Sequence, residues 1–297
     1  MFYIVDARGV LAAVANMAAG RGTEDVTVYE RTELIYAGID NIHSMRSSMD
    51  ALCSAVYHTR SASDCSSCHN DGFYRKVDGC GWLLHCSRIL SASVTIAEKL
   101  HLEGSSVLVH CSDGWDRTAQ LTSTAQLLLD PYYRTIEGFA VLVEKDWCAF
   151  GHKFDHRGGN AAPSTADPDE RSPIFLQWLD VVHNIHRQFN TAFEFNEYML
   201  VFVADHINSG LFGNFIGNCE RERVLELGVR EKTVSIWDYI THNSSEFLHP
   251  SYCKVNRPLW PSCGLRSLSL WRRYFMRWDQ DCHPKCDCPD GEWHDDW

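Results

Sequence analysis

No run of about 18 apolar residues, the length a helix needs to cross a bilayer, occurs in the 297-residue chain. The first residues, Met1 to Asp6, also lack a basic segment followed by a long apolar one, so no secretory leader is read there. Positive charge is scarce as well. Lys and Arg number 27 against 39 Asp and Glu, a net charge of −12, which argues against nucleic acid as the main partner because a surface for phosphate backbones is normally basic. Internal repeats are absent too. These absences predict a soluble protein, cytosolic or peripheral to a membrane, in which any anionic ligand is met by local positive groups.

What is present suits a globular α/β domain. The hydrophobic fraction is 45%, and 297 residues suffice for one large domain or two small ones. Thirteen cysteines in a chain with no sign of secretion are expected to be mostly reduced and buried, with reactive or metal-binding thiols favoured over disulfides. The first 58 residues alternate strand, helix, strand: an apolar run Phe2 to Val5, an alanine-rich stretch Leu11 to Ala19, and a second run Leu34 to Ala37. Residues 59–81 turn to Ser, Cys, Asp and Gly without hydrophobic period and are predicted to be a surface loop insertion. A helix is expected over 86–102, with Leu90, Val94 and Ala97 on one face. The β-branched run ending at His110 predicts a buried strand. A helix opens near Arg117, marked by Leu121, Ala125 and Leu128, and closes at Asp130 and Pro131. A polar loop from Gly158 to Pro173 precedes two helices, one carrying Phe175, Leu179 and Val182, the other Phe195, Met199 and Phe202. The acidic tail, residues 276–297, has no period and is predicted to be disordered unless a metal organises it.

The chemistry concentrates between strand and helix, in Cys111-Ser112-Asp113-Gly114-Trp115-Asp116-Arg117. Backbone N–H groups of Ser112 through Arg117 can converge there on three phosphoryl oxygens, and the helix N-terminus adds positive potential. The same field is expected to make Cys111 a thiolate nucleophile. Arg117 offers a planar fork for two phosphoryl oxygens. Gly114 permits backbone geometry that a side chain would obstruct. His110 is expected to orient the loop, and Thr118 to donate its hydroxyl to the sulfur as a phosphocysteine is hydrolysed. The leaving alcohol needs a proton; Asp113 and Asp116 both sit in the loop, and Asp116, beside the arginine, is the preferred general acid. A bare Cys-x5-Arg spacing is common by chance. The strand before it, the internal glycine and the helix after it are what point to phosphate-ester hydrolysis.

These residues resemble the signature loop of the myotubularin phosphoinositide 3-phosphatases. The resemblance continues through Tyr3 to Arg8, Ala13 to Asn16, Asn41 to Arg46, Asp130 to Phe139, Val143 to Trp147, Phe150 to Phe154, Pro173 to Trp178 and Phe193 to Glu197. It implies an α/β fold of the cysteine-dependent (protein tyrosine and dual-specificity) phosphatase kind, a central sheet flanked by helices, as one domain over residues 1–275. The implied activity is removal of the D3 phosphate from phosphatidylinositol 3-phosphate and its 3,5-bisphosphate, with no cofactor. Asn16 and Asn41 match positions that touch the inositol ring or its phosphates. Lys153 and Arg157 match basic positions that hold the remaining phosphates, and Trp115 lies where it can pack on the headgroup, beside Ser112 and Gly114. Lys145 is expected to assist headgroup capture. The implied partners are phosphoinositide headgroups and other myotubularins, as homo- or hetero-dimers, at endosomal membranes.

The chain departs from the family pattern at its start. Members carry a PH-like GRAM domain and an early phosphatase segment with no counterpart before Met1, so the chain is expected to be either a divergent short form or N-terminally truncated. Cys65, Cys68, Cys282, Cys286 and Cys288 raise zinc, but Cys80 and Cys86 do not complete the usual knuckle spacing, and no metal is assigned. The competing readings are a protein tyrosine or dual-specificity phosphatase, whose thiolate chemistry is shared, and a non-catalytic lipid-binding adaptor.

Overall fold

The computed structural model describes residues 1–18, 22, 24–57, 71–161 and 167–277. Strand β1 (Phe2–Asp6) leads through helix α1 (Val10–Ala18) to β2 (Thr32–Tyr36). Helices α2 (Ile42–Tyr57), α3 (Asp71–Gly79) and α4 (Trp82–His101) follow, then β3 (Ser106–His110) and α5 (Arg117–Leu129). The three strands form a parallel sheet in the order β2-β1-β3. Parallel pairing requires each return to cross over, which the intervening helices provide. The central strand is buried from Tyr3 to Asp6, while β2 and β3 are mostly half-exposed. The order strand, helix, strand, with β3 and α5 close to their expected bounds, follows the sequence reading, but β3, expected to be buried, has no fully buried residue.

The register decides where the site lies. Asp6 pairs with Tyr36 on one side and His110 on the other, so all three strands end together. Their continuations stay bonded beyond the sheet: Ala7 N–H donates to His110 O at 2.8 Å, Ala37 N–H to Asp6 O at 2.8 Å, and Ile39 N–H to Ala7 O at 2.9 Å. Three loops are thus gathered at the carboxyl ends of the strands, the usual place for ligand sites in open parallel sheets.

Helix α5 runs from this edge through the core, with Ala119, Leu121, Ala125, Leu127 and Leu128 buried. Its buried hydroxyls return to its own carbonyls, Ser123 to Ala119 at 2.5 Å and Thr124 to Gln120 at 2.7 Å, which removes the penalty for burying them. It packs against α4 and against α8 (Ile174–Gln188), while α6 (Ile136–Val143), α7 (Phe154–Gly158) and α9 (Glu197–His206) complete the helical part of the fold. Phe139 is stacked on Trp178 at 5.5 Å and tilted against Phe195 at 4.9 Å; Trp147 meets Phe175 edge-on at 4.8 Å. Gly138 makes one close approach possible, since a Cβ there would fall 1.8 Å from the Tyr132 carbonyl oxygen.

Four placements differ from the sequence reading. The stretch 59–81 was expected to be loop throughout, yet Asp71–Gly79 is helical because Val77 and the following Cys80 bury against α2, where Ser48 Oγ donates to Cys80 O at 2.7 Å. The helix expected from residue 86 begins at Trp82, whose indole N–H donates to the buried Asp180 at 2.7 Å. The polar stretch 158–173 contains a short 3-10 turn, Pro168–Glu170, capped by Asp167. Phe195 precedes α9 rather than lying on it, in a bridge to Leu248. Cys65, Cys68 and the tail from residue 278, with its cysteines, lie outside the described residues; among those described, no group of three or more His, Cys, Asp or Glu is placed to hold a metal.

Phe139 has no exposed surface. Phe139→Ala is expected to lower stability by ~3–5 kcal/mol, read from urea unfolding, against ~0.5 kcal/mol or less for the exposed Leu102→Ala. Matching midpoints for the two variants would contradict this account of the core.

Candidate active site

Cys111 is the first residue past β3 and is 9% exposed, at the floor of a loop that closes at the N-terminus of α5. Gly114 turns the loop with φ +95°, a value in the left-handed region that favours glycine, and its N–H then donates to the Cys111 sulfur at 3.2 Å. Arg117, the first residue of α5, folds over the same loop. One of its nitrogens donates to Ser112 Oγ at 3.1 Å and the other to Ile39 O at 3.2 Å, so the arginine is tied both to the loop and to the segment after β2. Cys111, Ser112, Gly114 and Arg117 are therefore brought together as the sequence predicts, with Asp113 exposed on the loop.

Asp116 is a correction. It was the preferred proton donor, but its carboxylate is buried between Arg157 and His152. Arg157 Nε lies 3.2 Å from both oxygens and Nη2 2.8 Å from Oδ2, while His152 Nδ1 is 3.0 Å from Oδ1 and 2.9 Å from the Trp115 carbonyl. Burial by itself pushes this carboxyl up, but the contacts with His152 and Arg157 outweigh it and bring the pKa to about 2. The carboxylate is therefore ionised in this structure and anchors the loop to the α7 region.

Arg157 is corrected with it. The fork expected to hold a headgroup phosphate is buried and committed to Asp116 and to Glu170, whose carboxylate and carbonyl accept at 2.5 and 2.9 Å. Lys145 is likewise engaged elsewhere, with Gln126, Tyr133 at 3.1 Å and Asp146 at 3.3 Å. Lys153, by contrast, does reach the site: its ammonium lies 4.4 Å from the centre of the Trp115 ring. Asn41 sits two residues after the Ile39 carbonyl that Arg117 engages, but its side chain caps α2, accepting from Ser44 N–H at 3.1 Å. Asn16 is within α1, and its side chain lies outside the described residues.

Two groups escaped the sequence reading. His152 is the buttress just described, and the buried pair Asp6 and Arg8 lies behind the cysteine. Arg8 Nη2 donates to Asp6 Oδ2 at 2.7 Å and Nε to Oδ1 at 2.9 Å, with exposures of 2% and 0%. The available signal was the end of β1, where a buried strand finishes on charged residues in register with His110. Of His110, expected to orient the loop, Nδ1 is 3.1 Å from the Cys111 carbonyl and Nε2 is 3.0 Å from Glu24 Oε2.

A family model described as the myotubularin-like phosphatase domain matches residues 1–224. The chain belongs to this family. Over 277 residues it is 47% identical to the Myotubularin of Xenopus tropicalis, covering 93% of this chain and 44% of that protein. It is 46% identical over 284 residues to the Phosphatidylinositol-3,5-bisphosphate 3-phosphatase MTMR2 of Mus musculus, 95% of this chain and 43% of that one. To the Phosphatidylinositol-3,5-bisphosphate 3-phosphatase MTMR6 of Homo sapiens it is 43% identical over 286 residues, 95% of this chain and 44% of that one. The myotubularin-like chain thus spans less than half the length of the curated relatives it matches.

The Asp116 anchor carries a pH signature. Its folded pKa, about 2, lies below the ordinary 3.8, so the stabilisation is fully present above the ordinary value and is lost as pH falls toward 2. The amount is about 2 kcal/mol. Asp116→Asn is expected to remove this part of the acid sensitivity and to lower stability at neutral pH by roughly 3 kcal/mol, because Arg157 loses a buried counter-charge. Urea unfolding of both proteins across that pH range tests the assignment; parallel stability curves would refute it.

Proposed function

We propose that this chain hydrolyses the D3 phosphate of phosphatidylinositol 3-phosphate and 3,5-bisphosphate through a phosphocysteine, on a cysteine-dependent phosphatase fold. The observation that carries the reading is the pairing of a loop-cradled sulfur, 3.2 Å from the Gly114 N–H, with the Arg117 guanidinium held over the same loop. The names of the MTMR2 and MTMR6 relatives supply the substrate class.

In the proposed reaction the Cys111 thiolate attacks phosphorus, forming the S–P bond as the bond to the inositol oxygen breaks. Arg117 and the loop amides stabilise the charge on the three equatorial oxygens. With Asp116 held as an anchor, Asp113 is the loop carboxyl assigned to protonate the departing alkoxide. Water then cleaves the S–P bond, releasing inorganic phosphate and the thiolate. Thr118 supports that second step: its hydroxyl oxygen is buried one residue into α5, without a protein hydrogen bond, so it can donate to the leaving sulfur. Lys153 and Trp115 line the rim and receive the rest of the headgroup.

The setting proposed is the cytosolic face of endosomal membranes. Because the chain carries −12 overall, recruitment to an anionic leaflet is assigned to a partner, another myotubularin, rather than to charge attraction by this chain.

Phosphate release from phosphatidylinositol 3-, 4- and 5-phosphates and from a phosphotyrosine peptide tests the reading. The 3-phosphate is expected to be the preferred substrate, with Cys111→Ser reducing turnover by about 10³-fold or more. Equal rates across the three lipids, a preference for the peptide, or turnover that survives Cys111→Ser would overturn it.

A further inference from the structure

The Asp6–Arg8 pair has no place in the reaction just described, yet it is the most deeply buried ion pair near the nucleophile. Because Asp6 is in register with His110, and Ala7 N–H donates to the His110 carbonyl at 2.8 Å, the residues Asp6 to Arg8 run beside His110 and Cys111 where both strands leave the sheet. Asp6 has no exposed surface. Its carboxylate is met by three donors of Arg8, the backbone N–H and Nε at 2.9 Å to Oδ1 and Nη2 at 2.7 Å to Oδ2, and Arg8 is further fixed by the Gly22 carbonyl at 3.2 Å. The remaining charged groups on the elements around Cys111 are His110, whose Nε2 lies 3.0 Å from Glu24 Oε2 and 3.9 Å from Asp6 Oδ2, Asp113 and Arg117 on the loop and α5, and Asp116, held by Arg157 and His152.

An uncompensated carboxylate in this position opposes a thiolate just past the end of the next strand; a guanidinium bonded to it cancels that opposition. We propose that Arg8 is a positioning residue that keeps Cys111 in its nucleophilic form by neutralising the buried Asp6 carboxylate behind it. Arg8 does not touch the substrate; it acts through Asp6. The Arg8 guanidinium is held above the usual arginine range, first by its hydrogen bond to Asp6, with the Cys111 sulfur and Glu24 adding to the effect, which places the sulfur within its electrostatic reach.

The role rests on Cys111 being the nucleophile, and its test does not require turnover. The rate at which iodoacetamide modifies Cys111 is followed against pH in the full chain, with the Cys111 peptide quantified by mass spectrometry so that other thiols do not contribute. Arg8→Gln is expected to move the midpoint upward by about one pH unit or more, and Asp6→Asn to move it downward, since it leaves Arg8 unopposed. The double variant, which removes both charges, is expected to return to within roughly half a unit of the wild type. Should Arg8→Gln fail to fold by circular dichroism, Asp6→Asn and the double variant decide the matter. Unchanged midpoints, or single variants that shift the same way, would show the pair to be structural only and sink the proposal. A wild type that releases no phosphate from any lipid, yet whose midpoint moves in opposite directions in the two variants, would sink the phosphatase reading and leave this role standing.

Discussion

The buried contact of Asp116 with Arg157 and His152 joins the two halves of the site. Asp116 ends the cysteine loop at the N-terminus of α5, whereas Arg157 and His152 come from the α7 region, and Arg157 continues the link to Glu170. The 3-10 turn that carries Glu170 is in turn clasped to α2 by Arg46, which donates to the Pro168 carbonyl at 2.8 Å and to Asp169 at 3.0 Å. A loop of six residues is too short to make a core of its own. Its shape is imposed from outside, and breaking one partner of a buried pair leaves a charge with nowhere to go.

Seen with Arg8, this contact defines an electrostatic plan. The chain is strongly acidic, and an anion approaching it meets overall repulsion. Beneath and beside the cysteine, however, each buried carboxylate is matched by an arginine: Asp6 by Arg8 and Asp116 by Arg157. What remains uncompensated by direct carboxylate contact at the mouth is Arg117, bonded to a hydroxyl and a carbonyl, and Lys153, resting on an aromatic ring. Local positive potential is obtained by cancelling the negative groups, not by adding many positive ones.

The parts of this plan that are local in sequence were legible there. A β-branched strand, a cysteine, a glycine with positive φ and an arginine opening a helix follow one another within a dozen residues, and each enforces its neighbour. Helix α3 was not legible because its short buried face, centred on Val77, is diluted by polar residues and glycines, and only packing on α2 makes it helical. The role of Asp116 was misread for a related reason. Adjacency to Arg117 along the chain suggested a shared active-site role, but the groups that set its charge are His152 and Arg157, the latter 41 residues away. Arg157 looked available for a headgroup because its partner could not be seen. Asn41 illustrates the same ambiguity at short range, where a side chain that begins a helix and one that meets a ligand use the same amide.

The strengths of these ties separate residues that shape the site from residues that can answer a ligand. A buried, multiply bonded arginine such as Arg157 gives up several hydrogen bonds and a counter-charge if it moves, so displacing it is costly. A half-buried lysine over an indole forfeits only about 0.5–1 kcal/mol on leaving, less than a phosphate contact returns. Arg117 lies between these extremes, since its Ser112 and Ile39 acceptors are neutral and a phosphoryl group is a stronger one. On this ordering the loop and its two buried pairs are preformed. Selection among headgroups in the proposed reaction then falls to Lys153 and Trp115, whose interaction is weak enough to be exchanged for a second phosphate.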